Sequence, residues 1–271
     1  MSGELRVMPI AGIPEVKEGM KVGKLIADHT NLQPGDIVVI SQKVVSKAEG
    51  QVRQLSEVEP SARARELAAQ QEKDPALVEL ILKESRELLR AERGVLITET
   101  HHGFICANAG IDTSNLPDNG TVCLLPADPD ASARTIRAEL TPAIEGPGMG
   151  VAGPSPLLSA DPHPRPPHAL AVVIADSFGR AWRVGQAEVA IGCAGITPLD
   201  DWRGRQDTSG RELKATAIAI ADQVAAAADL VRVKDSNVPA SVVCGLSHYV
   251  TAEDGPGAVV LRRPLAEDLF R

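Results

Sequence analysis

The sequence predicts a fold that mixes β-strands with α-helices, in an order that pattern alone leaves open. Three observations lead there. Residues 37–40, 169–174 and 241–245 are short apolar runs, as buried strands are. Asp74-Pro75 opens a helix, with Asp as N-cap and Pro in the first turn. A stretch rich in alanine, the residue of highest helix propensity, follows residue 213. The 271 residues make one large domain or two modest ones, long enough to bury a sizeable core. We read residues 1–271 as a single unit, with a division into two subdomains left open.

Composition narrows the function classes. Hydrophobic content of 44% and charged content of 24% describe a soluble globular chain. Aromatic residues make up only 2%, so the core is built from Ala, Val, Leu and Ile and few rings remain for base stacking. A net charge of −8 also argues against a nucleic-acid partner. A nucleotide is still compatible with such a chain where metal ions and a few Lys or Arg side chains neutralise its phosphates locally. Cys106, Cys123, Cys193 and Cys244 are scattered, with no CxxC pair, and each sits in an apolar run; buried free thiols are expected. The sequence shows neither a leader pattern nor a run approaching ~20 apolar residues, so a cytoplasmic protein with no membrane contact is expected.

In chain order, residues 5–10 alternate weakly and lead into Gly12-Ile13-Pro14, and 22–29 has helical spacing. Gln33-Pro34-Gly35-Asp36 is a turn before the strand at 37–40. Beyond that strand, Gln42, Lys43 and Lys47 stand among hydroxyl and amide side chains, a pattern that suits phosphate and equally suits a solvated strand end. Pro60-Ser61 starts a polar helix. The helix from Asp74 has an apolar face of Leu77, Leu80, Ile81, Leu88 and Leu89, with Gly94 ending it. Residues 95–98 and 104–107 read as paired strands around the His101-His102-Gly103 turn. Neighbouring histidines on an extended chain point to opposite faces, which disfavours a metal shared between them.

Residues 105–115 run from an apolar strand through Gly110 into Asp112, Thr113, Ser114 and Asn115. Glycine there permits backbone angles that a Cβ resists. A strand end turning into Asp and Asn offers oxygen donors for a hard cation and a phosphate, although Asx and Ser turns use the same residues. Residues 121–125 form another strand, and 128–134 lead into a helix reaching about 140. The composition of 141–168 shifts to Pro and Gly, as in a flexible insertion. The strand at 169–174 ends in Asp176-Ser177, repeating the design at Asp112, so two carboxylates can converge on one ion. After the apolar 189–196, a long helix is expected from 208–213 to about 231. Residues 241–245 form a last core strand, and 257–261 are expected to pair at an edge.

Five segments, SQKxxSKAEG from Ser41, CANAGIDxSN from Cys106, LLPxDPDASAR from Leu124, DxFGRxWRxGQ from Asp176 and GRExxxT from Gly210, resemble in order the coenzyme F-420 L-glutamate ligases. The resemblance implies an α+β fold with several mixed sheets, forming an intertwined homodimer. It implies ligation of L-glutamate to the deazaflavin precursor of the coenzyme, with GTP as co-substrate, through an acyl phosphate. A related ligase with another acceptor or amino acid, and a nucleotide-binding relative without catalysis, are the alternatives. By resemblance Asp112 and Asp176 ligate one divalent ion, magnesium or manganese, and Ser177 a second; a monovalent cation such as potassium is a further candidate. Asn115 and Lys47 contact GTP, while Ile13, Pro14, Glu15 and Val16 line its site with Gln42 and Lys43. Arg180, placed with the catalytic residues, and Arg183 and Arg211 are our own candidates for phosphate or carboxylate contacts, since guanidinium pairs both bidentately. Three departures from the family pattern stand out. Ser177 replaces a threonine, 141–168 is longer than the usual connection, and Val233 occupies the position of a Gln or Glu metal contact, which leaves either Asp235 as a substitute ligand or a weaker second metal site.

Overall fold

The run at 37–40 is apolar without alternation because its strand is buried on both faces. Val38 and Ile40 belong to one core and Ile37 and Val39 to another, on opposite sides of a sheet. The computed structural model describes residues 4–114, 120–145, 169–233 and 236–268. Its first half contains β1 (Arg6–Ile10), α1 (Val22–Ala27), β2 (Ile37–Ser41), α2 (Gln42–Ala48), β3 (Val52–Gln54), α3 (Ala62–Gln71), α4 (Pro75–Lys83), β4 (Ser85–Glu92), β5 (Val95–Thr100) and β6 (Ile105–Ala107). Its second half contains β7 (Thr121–Cys123), α5 (Pro129–Glu145), β8 (Ala171–Arg180), β9 (Arg183–Ala194), β10 (Leu199–Asp201), β11 (Ala217–Ala219), α6 (Ile220–Asp229) and β12 (Ala240–Cys244).

The central sheet runs β1-β12-β2-β8-β9. Only β2 and β8 are parallel; the other neighbours are antiparallel, so the sheet is mixed and the class is α+β. On one face Val38, Ile40, Val172 and Ile174 meet Val22 and Ile26 of α1 and Ile136 and Leu140 of α5. On the other, α6 lays Ala221, Val224, Ala225 and Ala228 against Val39, Val173 and Val243. Its alanines bring the helix close to the sheet, so a larger side chain there would overpack by about 1–3 kcal/mol. A third core joins α3, α4, β5 and β7 through Leu67, Val78, Ile81, Leu96 and Val122.

Several elements depart from the sequence reading, each for a local reason. The helix from Asp74 stops at Lys83, and Leu88 and Leu89 belong to β4. Residues 85–92 pair with β5 instead, through a two-residue turn in which Arg93 (φ 53°) and Gly94 (φ 73°) both have positive φ. The long helix expected from 208–213 begins only at Ile220. The Asp207 carboxylate folds 207–211 into a turn by accepting from the Ser209 and Arg211 N–H groups, and 217–219 is claimed by the ladder with β10. Alanine's helix preference yields there to strand pairing. Helix α5 runs on to Glu145 through Pro142, because Leu140 and Ile144 are held in the core. The rest of the Pro-rich segment, 146–168, lies outside the described residues. Residues 258–261 form a 3-10 turn rather than an edge strand, tied down by the Ala258 N–H on Asp130 Oδ1 at 2.7 Å. All four cysteines are buried, and none forms a disulfide among the described residues.

Candidate active site

Strand ends converge on a cavity of about 770 Å³. The C-terminal end of β2 feeds α2 directly, and Lys43 and Lys47, four residues apart, lie on one face of that helix and border the cavity. Lys43 Nζ stands 2.8 Å from Asp112 Oδ2 and 2.6 Å from the Ser114 carbonyl. Lys47 Nζ pairs with Glu15 at 2.5 Å. Ile13, Pro14, Glu15 and Val16 form part of the same wall. Gln42 also touches the cavity, but its Nε2 is engaged with Ser46 Oγ and the Leu124 carbonyl, so it braces the start of α2.

Asp112 is aimed by its backbone. Asn108, Ala109 and Gly110 take successive φ values of 52°, 54° and 70°, a left-handed turn that glycine alone adopts readily. Past it, the Asp112 N–H and C=O both bond Cys123, at 2.9 Å each. Oδ1 accepts from the Ser114 N–H and hydroxyl, at 2.7 Å each. Burial pushes the Asp112 carboxyl upward; the bonds from Lys43 and Ser114 outweigh it and hold the group below the ordinary carboxylate range.

Asp176 and Ser177 also border the cavity, at the point where β8 leaves the sheet as a hairpin with β9. Consecutive strand residues face opposite sides, so the two offer their oxygens to different sides of the ladder. The Cys106 thiol, on the same wall, is pushed up to about 12 by burial and by the charge of Asp176. Among the described residues no three His, Cys, Asp or Glu side chains gather closely enough to cage an ion. Asp112 and Asp176 fit one magnesium-like ion that takes one or two carboxylates and fills its sphere with phosphate oxygens and water, and the Ser177 hydroxyl, on the other side of the ladder, offers a donor for a second.

Other expected residues lie elsewhere. Arg180 Nη2 donates to the Val184 carbonyl at 2.7 Å across the hairpin turn, and neither it, Arg183 nor Arg211 borders the cavity. Asn115 and Asp235 lie outside the described residues. Val233 does border the cavity. The histidines are spoken for: His101 Nε2 meets the Lys83 carbonyl and His102 Nε2 that of Pro126. Sequence reasoning missed Glu188 and Arg232, a buried ion pair on the cavity wall (3.2 Å), and Asp229 at the end of α6. The signal for Glu188 lay in the hairpin register, since residue 188 faces Ser177 only once 183–188 is seen to be strand.

A family described as "F420-0:Gamma-glutamyl ligase" matches residues 11–146 and 166–245. The interruption falls within the Pro-rich segment. Curated relatives named "Coenzyme F420:L-glutamate ligase" include those of Methanothermobacter thermautotrophicus (40% identical, covering 98% of this chain and 99% of the relative) and Methanopyrus kandleri (39%, 98% of each). The Haloarcula marismortui protein of the same name is 39% identical over 88% of this chain and 86% of its own.

Proposed function

The chain belongs to the F420-0:gamma-glutamyl ligase family, and from that premise we propose that it joins L-glutamate to the deazaflavin precursor of coenzyme F-420, using GTP and a divalent metal. One observation carries the reading: two lysines and the acid-bearing ends of two strands face a single cavity large enough for a nucleotide. The precursor carboxylate attacks the γ-phosphorus of GTP and GDP leaves, giving an acyl phosphate. The glutamate amine then attacks the acyl carbon, phosphate departs with the C–O bond electrons, and the amine loses its proton to water. Phosphoryl transfer of this kind rests on positioning and charge neutralisation.

Asp112 and Asp176 would hold one divalent ion, magnesium or manganese, and Ser177 a second; when bound they supply charge neutralisation at the phosphates. Lys43 and Lys47, now paired with Asp112 and Glu15, would exchange those carboxylates for phosphate oxygens as the nucleotide enters. Their flexible stems permit the swap. Ile13 and Val16 give the cavity an apolar margin against the base.

The chain works as a homodimer in this reading. The β8–β9 hairpin presents Trp182 and Val184, 79% and 97% exposed, at its tip. Sedimentation at micromolar concentration tests the assembly. A second reading, nucleotide binding without turnover, is favoured by Val233, an apolar side chain on the cavity wall at the position of an expected ligand. Assays with GTP, L-glutamate, Mn²⁺ and the precursor separate the two. Glutamate-dependent GDP release supports the ligase, and GTP binding without release supports the second reading. Asp112→Ala should abolish release while the fold is retained, and wild-type rates in that variant would refute the assignment.

A further inference from the structure

Ser177 and Glu188 stand opposite each other in the β8–β9 ladder, so their side chains share one face. Ser177 Oγ lies 2.8 Å from Glu188 Oε1. A carboxylate has no proton to give, so the hydroxyl is the donor. The second carboxylate oxygen, Oε2, accepts from Arg232 Nη2 at 3.2 Å. The glutamate and arginine side chains are only 8% and 5% exposed. Arg232 Nη1 reaches the Pro239 carbonyl at 3.3 Å, and its Nε is buried with no partner among the described residues. A buried ion pair gains little stability over apolar side chains of similar volume. This one keeps an unmet donor and sits on the wall of the nucleotide cavity. Its placement therefore calls for a reason other than stability.

We propose that Glu188 is a positioning residue that fixes the polarity of the Ser177 hydroxyl. With its proton committed to Glu188, Oγ meets other groups only as an acceptor. An acceptor oxygen ligates a cation; a hydroxyl proton turned into the cavity would instead be drawn to phosphate. Arg232 completes the device by claiming Oε2, which leaves Oε1 to Ser177. The inference rests on the proposed reading of Ser177 as a metal ligand and adds the group that makes it one.

The polarity argument distinguishes substitutions that packing alone would not. In Glu188→Gln, Arg232 still requires an oxygen, so the amide carbonyl turns to Arg232 and the NH₂ faces Ser177. The hydroxyl must then accept from the amide and point its proton elsewhere. In Glu188→Gln/Arg232→Met the carbonyl is released to accept from Ser177 again, and no buried charge is left unpaired.

The test is a titration of Mn²⁺ against the full chain, with and without GDP, read as loss of the free-Mn²⁺ electron paramagnetic resonance signal. Outer partners of metal ligands typically contribute about 10- to 100-fold in affinity. Ser177→Ala and Glu188→Gln should each weaken Mn²⁺ binding by roughly 10-fold or more, and the Ser177→Ala/Glu188→Gln double variant no further than Ser177→Ala. Glu188→Gln/Arg232→Met should recover to within about 3-fold of the unmodified protein; it also serves where Glu188→Gln alone does not fold. Unchanged binding in Glu188→Gln, additive losses in the double variant, or no recovery with Met at 232 overturns the positioning role while the metal reading stands. Unchanged binding in Ser177→Ala refutes the ligand assignment itself, and with it this inference.

Discussion

Replacing Gly110 by alanine tests the link between backbone and site most directly. Gly110 sits at φ 70°, in the left-handed region, where an L side chain costs roughly 1–2 kcal/mol. A Cβ there would lie 2.9 Å from Leu125 Cδ1 and 3.0 Å from Cδ2 and Cγ. Leu125 is 4% exposed and packed in the main core, so it has little room to swing away. Overpacking of that kind costs about 1–3 kcal/mol. Removing glycine from the unfolded chain returns about 0.4–1 kcal/mol. The expected net loss is roughly 1–5 kcal/mol, read from urea denaturation at constant slope. Repeating the substitution in a Leu125→Ala background separates the two causes. The clash vanishes there, and the backbone cost less the same unfolded-state return, about 0–1.6 kcal/mol, remains. Equal losses in both backgrounds would show that Leu125 is not the obstacle. A loss below about 0.5 kcal/mol in the native background would refute the argument from the left-handed turn and the clash. Because Asp112 lies two residues on, the variant should also weaken Mn²⁺ binding before it unfolds.

Three further outcomes follow from the same geometry. Asp112 is held below the ordinary carboxylate range, so its contribution to stability is fully present above the unfolded value, about 3.9, and is lost as pH falls through its lower folded value. The unfolding free energy of the native chain should therefore drop more steeply on acidification below about pH 4 than that of Asp112→Asn; parallel curves would contradict the assignment. Burial raises Cys106 and Cys193 to about 12 and Cys123 to about 11, so none should react with a thiol reagent at pH 8 until guanidinium is added. A fast-reacting fraction from Cys106 would show that the cavity wall opens. Asp74→Ala removes the acceptor of the Ala76 and Leu77 N–H groups, at 2.7 and 3.2 Å, and should cost about 0.5–2 kcal/mol in chemical denaturation; no change would mean α4 is held by packing alone.

What the sequence determined by itself was whatever is local in physical origin. The Asp74-Pro75 cap, the buried run at 37–40, the positive φ of Gly110 and the burial of the cysteines are set by side chains within a few residues of one another. The ordered motifs likewise named the family. Tertiary structure decided the rest, because competition between remote partners has no local signature. Leu88 and Leu89 fit a helix by spacing, yet 85–92 gains a hairpin partner in β5 and becomes strand. Residues 217–219 carry helix-forming alanines, yet pair with β10. At the site, Lys43 and Asp112 are far apart in the chain and Glu188 and Arg232 carry no motif of their own. The convergence of strand ends makes neighbours of the first pair, and a hairpin register followed by the end of α6 brings together the second. Charge, burial and hydrogen-bond direction acquire chemical meaning only once those distances exist.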